Sequence, residues 1–263
     1  METSTPGVIQ FSTLGKNGRF GNQMYQYAFV RKYAELTKSN LETPKWIGES
    51  IFKNVPSNPI KTKGLKKVHT KKTYPSECCD LNTNLDFSGQ YQCQCHLIYS
   101  REWVRNLYEY NSKTLKMLGN VELTDYVAVH VRRGDYVSLG SYCVVSQESY
   151  EELFRQLQIS VKDVIWIYDD RDNMHSFKYP RYKCNRYDQL KNHEKMMLDF
   201  WYLQNSRILI RSNSTFSVWA GILHRGESVY SPDVGDLRGE HTVQFVKGNC
   251  CRCTPSYTDF KLL

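Results

Sequence analysis

The feature that most constrains the fold is the repetition, after residue 121, of short β-branched runs separated by helical patterns. YVAVHV (126–131), VIWIY (164–168) and RILI (207–210) are each too short for a buried helix, and each is followed by polar residues. A last short run, SVYS, occupies 228–231. Strands that alternate with helices predict an α/β fold with a mostly parallel sheet. Because such sheets bind ligands beyond the carboxyl ends of their strands, we expect the functional residues there.

The helical patterns between these strands are SYEELFRQLQ, HEKMMLDFWYLQNS and FSVWAGIL. The N-terminal part is less regular. A short apolar segment from Val8 to Phe11 predicts a strand, the glycine-bearing loop LGKNGRFGNQ follows it, and MYQYAFVRKYAEL predicts a helix. The spacing puts Met24, Tyr27 and Ala28 on one face of that helix. Between residues 37 and 120 we expect only short strands, around Tyr91 and Leu97.

Composition favours a globular protein without a membrane span. The 263 residues are 40% hydrophobic, which suffices for one large domain or two small ones. No stretch reaches the roughly 18 to 20 apolar residues of a membrane-spanning helix, and METSTPGVIQ has neither the charged nor the apolar region of a signal peptide. The expected location is the cytoplasm; a Golgi enzyme would need a membrane anchor outside this sequence.

The formal charge of +8 favours an anionic partner such as a nucleotide diphosphate, an acidic glycan or a nucleic acid. Much of the excess lies in KTKGLKKVHTKK at 61–72. We interpret this segment as a solvated basic loop, with a docking patch as the alternative. It has no interleaved aromatic residues and no groove-reading motif, so we expect no nucleic-acid partner.

The nine cysteines fall in irregular local groups and include none of the CxxC pairs of a typical zinc module. Adjacent cysteines in an odd total fit a disulfide framework poorly. We therefore expect mostly reduced thiols, and we predict no metal site.

The first polar cluster is HVRRGDY, directly after the strand 126–131. Arg132 and Arg133 are permanently charged planar donors that can bind a diphosphate, and Gly134 allows the chain to turn sharply. If the strand continued, the two arginines would point to opposite faces and only one would reach a ligand. The alternative interpretation is a surface ion pair between an arginine and Asp135.

The second cluster is SNSTFSVWAGIL. Asn213 or Ser214 can cap the helix that follows, while Phe216 begins its apolar stripe. A capped helix terminus after a strand favours anion binding, because its free amides and its dipole face the ligand. The hydroxyls of Ser214 and Thr215 add donors. An ordinary helix cap without a ligand is the alternative.

The third cluster is GRFGNQMYQYA. Gly18 and Gly21 flank Arg19 and Phe20, so the backbone can approach a ligand closely, and Asn22 offers an amide at the start of the helix. The spacing matches neither a Walker nor a Rossmann glycine motif, so this cluster alone is a weak signal.

Taken in order, the three clusters resemble glycosyltransferase family 11, the alpha-1,2-fucosyltransferases. Its members carry GRxGNQMxQYA, a central HxRRGDY and a late NSTFSWW-type helix. VIWIYDD matches the strand between the last two motifs, and Asp199 matches an acidic position. The resemblance is good over 15–36 and 124–224.

The resemblance implies a GT-B-like α/β fold with two Rossmann-like halves facing a central cleft. Residues 1–122 would form the acceptor side, and 123–263 would bind GDP-fucose. The implied reaction is inverting transfer of L-fucose from GDP-fucose to a glycan acceptor, at the 2-hydroxyl of a galactose-type residue. It requires no cofactor and no metal.

The resemblance also implies roles for the first two clusters. Arg132 or Arg133 would stabilise the negative charge on the departing GDP. Ser214, Thr215 and the amide of Phe216 would assist, and Asn213 would complete the donor site.

Other roles follow less directly. Asp199 would bind the guanine or ribose side of the donor; a solvent-facing helix residue is the alternative. The base that removes the acceptor proton would be Asp135 or His130. Arg19 and Asn22 would contribute from the N-terminal half.

Three departures from the family pattern leave the acceptor and the linkage open. Val218 and the segment 220–222 replace bulkier residues, and Tyr168 stands where serine is more common. The alternatives are a fucosyltransferase of another linkage, a different sugar-nucleotide transferase, or a non-catalytic protein that binds GDP-sugars or glycans.

Overall fold

The computed structural model divides the chain into two compact units, one that ends at Lys116 and one that begins at Met117. The described residues are 6–69, 81–92, 99–119, 125–169, 177–235 and 237–248. The predicted boundary between residues 122 and 123 lies outside these ranges.

The N-terminal unit is built on a four-stranded parallel sheet with the strand order β2-β1-β4-β3. Its elements are β1 (Val8–Gln10), α1 (Phe20–Leu36), β2 (Asn40–Glu42), a 3-10 helix (Ile47–Ser50), β3 (Lys66–His69), β4 (Leu85–Ser88), α2 (Arg101–Leu107) and α3 (Ser112–Leu118), the last of which spans the division between the units. The strand expected at Val8 to Phe11 is therefore confirmed.

The helix expected after the glycine loop is also confirmed, but it begins earlier, at Phe20, so the GNQ of the motif belongs to its first turn. The predicted face of α1 is buried, and so is nearly every other residue between 23 and 30. Phe29, for example, stacks on Tyr91 with ring centroids 4.2 Å apart and meets Phe87 of β4 edge to face. A helix buried all round needs no single apolar stripe.

Two predictions for the N-terminal half are wrong. Part of the lysine-rich segment is strand β3 rather than a loop; Lys66 and Lys67 are exposed there and only Val68 is buried. Charged side chains are typical of such an edge strand, and they hide the strand from a search for apolar runs. Tyr91 lies outside any strand, at φ 52°, and the strand runs instead from Leu85 to Ser88. Leu97 lies outside the described residues.

The C-terminal unit is built on a five-stranded sheet with the order β11-β9-β8-β5-β7, in which only β11 is antiparallel to its neighbour. Its elements are β5 (Val127–Val131), α4 (Gly134–Leu139), β6 (Cys143–Val145), α5 (Gln147–Leu157), β7 (Val164–Tyr168), α6 (Asn192–Asn205), β8 (Ile208–Ile210), α7 (Thr215–Ile222), β9 (Ser228–Pro232), β10 (Gly239–His241) and β11 (Phe245–Lys247).

All four strands and all three helices predicted for this unit are confirmed. The mostly parallel sheet is confirmed as well, because β5, β7, β8 and β9 pair in parallel. The sequence did not predict the separate parallel ladder of β6 and β10, nor β11. Each of these strands has only three residues, and β10 reads Gly-Glu-His with no buried residue, so neither length nor alternation distinguishes it from a loop.

Cys143 is buried in β6 and Cys184 is half-buried; the other seven cysteines lie outside the described residues. Within the described part of the chain, no helix is long and apolar enough to cross a bilayer.

Gly18 occupies a position that another residue can fill only at a cost. Its φ is +81°, and an added Cβ would lie 2.6 Å from Cβ of Asn22. Gly64 is a matched control, because its φ is +75° but nothing lies within 4 Å of its Cβ position. We expect Gly64→Ala to lower the free energy of unfolding by about 1 kcal/mol through backbone strain. Gly18→Ala should cost about 2 kcal/mol more, because the methyl group also collides with Asn22. Urea titration measures both; equal losses would contradict the steric argument.

Candidate active site

The carboxyl ends of three parallel strands bring the C-terminal clusters to one edge of the sheet. Val131, the last residue of β5, pairs with Tyr168, the last residue of β7. On the other side of β5, Val129 pairs with Ile210, the last residue of β8. The chain segments that follow these strands therefore emerge side by side, as expected from their order in the sequence.

Asp169, the first residue after β7, organises the arginine pair. Its Oδ1 accepts the backbone N–H of Arg133 at 2.9 Å, and its Oδ2 pairs with Nη1 of Arg132 at 2.6 Å. The Asp169 side chain is only 9% exposed, so this contact is poorly screened by water. One carboxylate thus holds both the guanidinium of Arg132 and the turn that leads out of β5.

Arg132 also pairs with Asp135, three residues further along the chain. The ion pair considered from the sequence is therefore present, but it is not a simple surface pair, since the Arg132 side chain is 11% exposed. Its guanidinium carbon lies 4.8 Å from the centre of the Tyr136 ring. The Tyr136 hydroxyl donates to the carbonyl of Asn213 at 3.4 Å, which places Arg132 on the side of the sheet edge where α7 begins.

Arg133 has different neighbours. Its two terminal nitrogens bind the two carboxylate oxygens of Glu240 at 3.0 and 2.9 Å, and its guanidinium carbon lies 5.7 Å from the centre of the Phe177 ring. The strand ends at Val131, and Arg133 is the N-cap residue of α4. The side chains of Arg132 and Arg133 have different partners, as predicted. The cause is the turn after β5, not the alternation of side chains along a continued strand. Glu240 had no sequence signal, because it lies in the short polar strand β10.

His130 is buried, and its ring lies in a positively charged environment. Its Nδ1 is 2.7 Å from Oγ of Ser212. Burial, and then the charges of Arg132, Arg181 and Arg211, lower the pKa of His130 from 6.5 to about 3. The imidazole is therefore neutral at physiological pH.

The N-terminus of α7 is capped as predicted. Ser214 is the N-cap residue, and its Oγ accepts the backbone N–H of Phe216 at 3.3 Å. The amide expected to bind phosphate is thus engaged by the cap. Nδ2 of Asn213 donates to the carbonyl of Cys143 at 2.9 Å, while Oδ1 of Asn213 is buried without a hydrogen-bond partner. Thr215, the first residue of α7, is half-buried.

Asp199, on α6, is 9% exposed, so the alternative of a solvent-facing helix residue is wrong. It accepts hydrogen bonds from the guanidinium of Arg181 and, at 3.2 Å, from the hydroxyl of Tyr187. Arg181 also donates to the carbonyl of Tyr168, the last residue of β7. Arg181 therefore joins α6 to the sheet edge. It lies in no recognisable motif, and only its preference for buried ion pairs could have suggested it.

Arg19 and Asn22 belong to the N-terminal unit. Arg19 is the exposed N-cap residue of α1, and Asn22 accepts a hydrogen bond from Nε2 of Gln92 at 2.9 Å. Two glutamines of the motif stabilise the preceding loop, since Gln23 donates to the carbonyl of Gly18 and Gln26 to that of Asn17. The proposed contact of Arg19 and Asn22 with a donor stays a prediction.

Over the described ranges, no group of three or more His, Cys, Asp or Glu side chains is arranged to hold a metal ion. The polar edge of the C-terminal sheet is defined instead by arginines, carboxylates and a helix N-terminus. Such a combination is suited to an anionic ligand such as a phosphate ester.

The two units are α/β units built on parallel sheets, and comparison with known sequences identifies the family. The family model described as "Glycosyl transferase family 11" matches residues 2–234. The chain therefore belongs to glycosyltransferase family 11, as its three motifs indicated.

Among known proteins, an alpha-1,2-colitosyltransferase from Escherichia coli is 25% identical over 249 residues, which cover 78% of this chain and 85% of the relative. NodZ, an alpha-1,6-fucosyltransferase from Bradyrhizobium whose structure was solved with GDP-fucose, matches with a TM-score of 0.55 and 14% identity, over 93% of this chain and 100% of NodZ. POFUT1 in complex with GDP-fucose matches with a TM-score of 0.51 and 12% identity, over 91% and 98% of the two chains. These similarities confirm the GT-B type of α/β fold.

The lowered pKa of His130 predicts a pH dependence of stability. Between pH 3 and 6.5 the unfolded chain binds a proton at this position that the folded chain does not, so the free energy of unfolding rises with pH and levels off above 6.5. Lowering the pH from 7.5 to 5.5 should cost about 1.4 kcal/mol through His130. His130→Asn retains a polar atom near the Nδ1 position. In urea titrations at the two pH values, it should lack this difference of about 1.4 kcal/mol in the free energy of unfolding. His193→Asn, at an exposed position of α6, should keep it. Identical pH dependence in His130→Asn and wild type would contradict the assignment.

Proposed function

We propose that this glycosyltransferase moves L-fucose from GDP-fucose to a sugar hydroxyl, namely the 2-hydroxyl of a galactose-type residue, with inversion and without a metal. The observation that carries the proposal is the convergence of Arg132 and the α7 N-terminus on one edge of the C-terminal sheet. Membership of family 11 and the fold shared with fucosyltransferases solved with GDP-fucose support it.

Arg132, rather than Arg133, is the arginine we assign to the diphosphate. Arg132 contacts Tyr136, which bonds to the Asn213 loop before α7, whereas both terminal nitrogens of Arg133 are already bound by the carboxylate of Glu240. A diphosphate placed between Arg132 and the helix N-terminus would meet a fixed guanidinium, the hydroxyls of Ser214 and Thr215, and the positive end of the α7 dipole. We assign Arg133 to positioning.

Donor binding then requires an exchange of partners at Arg132, because its guanidinium already faces two carboxylates. Asp169 is the less exposed of the two and also holds the amide of Arg133, so it stays. Asp135 is 34% exposed and lies on α4, which contains no buried residue, so it is the easier to displace. The diphosphate oxygens would take its place.

This exchange also selects the base. His130 is buried against Ser212 and is shielded from an acceptor, whereas Asp135 is 34% exposed, so we assign the proton to Asp135 once Arg132 has released it. The acceptor oxygen would attack C1 of fucose from the face opposite the diphosphate. The C1–O bond breaks as the new C1–O bond forms, GDP leaves with the bonding electron pair, and Arg132 stabilises the resulting charge. Asp135 takes the acceptor proton.

The nucleoside end of the donor is assigned to the region of Asp199. Asp199 is hydrogen-bonded to Arg181 and Tyr187, so the guanine or ribose would meet a preformed group of three polar side chains rather than Asp199 alone. Asn213 adds a buried oxygen, Oδ1, that no other group of the described chain satisfies. Arg19 and Asn22 stay proposed contributors from the N-terminal unit.

A second candidate is transfer of colitose, favoured by the similarity to an alpha-1,2-colitosyltransferase. Colitose is the 3-deoxy form of L-fucose, so the two donors share the GDP group and the reacting carbon. A pocket that does not hydrogen-bond the 3-hydroxyl would accept both, whereas one built around that hydroxyl would reject colitose strongly.

The proposed function is tested by GDP release from GDP-fucose in excess chelator, with galactose-terminated and other simple glycans as acceptors and GDP-colitose as the competing donor. We expect acceptor-dependent release, and linkage analysis should identify a 2-linked product. Loss of release on adding chelator would refute metal independence. Binding of GDP-fucose without release for any acceptor would favour a non-catalytic binding protein.

The two arginines should respond differently to substitution. Arg132→Ala removes the positive charge proposed to stabilise the leaving GDP and should lower kcat by about 100-fold or more. Arg132→Lys should recover little of this activity, because the single ammonium group of lysine cannot bind two partners side by side as a guanidinium does. Arg133→Lys should retain most activity, since it can still pair with Glu240. Steady-state kinetics with GDP-fucose decides the matter. Full activity of Arg132→Ala, or equal loss in Arg132→Lys and Arg133→Lys, would overturn the assignment.

A further inference from the structure

Helix α4 and the loop after it expose an unusual amount of apolar surface beside the candidate site. Val137 and Leu139 are 57% and 59% exposed, Tyr142 is 45% exposed, and no residue of α4 is buried. Isolated exposed apolar residues are common, but a group within six positions, next to a functional cluster, marks a binding surface.

Tyr142 is held in a defined position despite its exposure. Its ring stacks on that of Tyr136, with centroids 4.3 Å apart and an angle of 11° between the planes. Asn213 fastens both ends of this pair. Its carbonyl accepts from the Tyr136 hydroxyl, and its side-chain amide donates to the carbonyl of Cys143, the residue after Tyr142. The aromatic pair is thus tied to the loop that precedes α7.

We propose that the exposed ring of Tyr142 is a platform for the acceptor sugar, which would lie against it through a face of C–H groups. This proposal rests on the proposed function and identifies one side chain of its acceptor site. A galactose-type pyranose presents several C–H bonds on one face, and their partial positive charge matches the electron-rich face of an aromatic ring. The sugar hydroxyls would stay at the rim, in water or bonded to polar groups.

The position of Tyr142 suits this role. The attacking hydroxyl must come close to the fucose carbon that is bonded to the diphosphate. Tyr136 lies against Arg132, the residue assigned to that diphosphate, and Tyr142 stacks on Tyr136. The ring of Tyr136 alone therefore links Tyr142 to Arg132, the residue assigned to the diphosphate.

The test compares Tyr142→Ala with Tyr142→Phe and Tyr142→Trp. We expect Tyr142→Ala to raise the acceptor KM roughly tenfold, the loss typical of one stacking contact, while the Kd for GDP and the rate of GDP-fucose hydrolysis in water stay unchanged. The aromatic variants should keep a KM close to that of wild type. Val161→Ala is the matched control, because Val161 is 38% exposed in the same unit and lies in the 3-10 helix before β7, away from the carboxyl ends of the strands, and its acceptor KM should not change.

Three results with Tyr142→Ala would overturn the platform. The first is an unchanged acceptor KM. The second is a loss of GDP affinity as large as the loss of acceptor affinity, which would indicate a structural role through Asn213, and the third is a changed sedimentation coefficient without a changed acceptor KM, which would assign the ring to contact between two copies. If no acceptor is fucosylated, the proposed function fails but the platform is still testable. Saturation transfer from aromatic protons to methyl β-galactoside, measured with GDP present, should occur in wild type and disappear in Tyr142→Ala. No transfer in wild type would refute the platform directly.

Discussion

The turn that carries the candidate site depends on one carboxylate, that of Asp169, whose side chain is only 9% exposed. It follows β7 directly and binds the guanidinium of Arg132 and the amide of Arg133, both of which follow the neighbouring strand β5. The in-register pairing of β5 and β7 brings these groups together. Because a buried carboxylate without its partners is strongly unfavourable, the turn after β5 and the orientation of Arg132 are determined together.

The charges around this turn are balanced before any ligand arrives. Arg132 faces two carboxylates, Arg133 faces Glu240, and burial keeps His130 neutral. In the proposed donor complex, the diphosphate would replace Asp135, which is only partly buried, so Arg132 would not be left unpaired. This arrangement avoids the cost of an isolated buried charge in the free protein and would still present a guanidinium to the proposed diphosphate.

Much of the C-terminal sheet was predictable because β5, β7 and β8 are short, mostly apolar runs followed by polar residues. The cap at Ser214 was predictable for a similar reason, since capping depends on local sequence. Short or polar strands were not. β3 carries lysines at a sheet edge, and β10 has no buried side chain, so only pairing with a distant strand makes either of them a strand.

The sequence by itself determined the family, the parallel sheet and the three clusters, because these depend on local patterns and on the order of strands along the chain. The tertiary structure alone decided the partners of each charge. Glu240 lies 107 positions from Arg133, and Arg181 lies 18 from Asp199; neither pair has a spacing that sequence periodicity can reveal. Which arginine contacts Tyr136, and which ring stays exposed beside it, follow from strand register and from the turn after β5. Those are set by long-range packing, which no local pattern encodes.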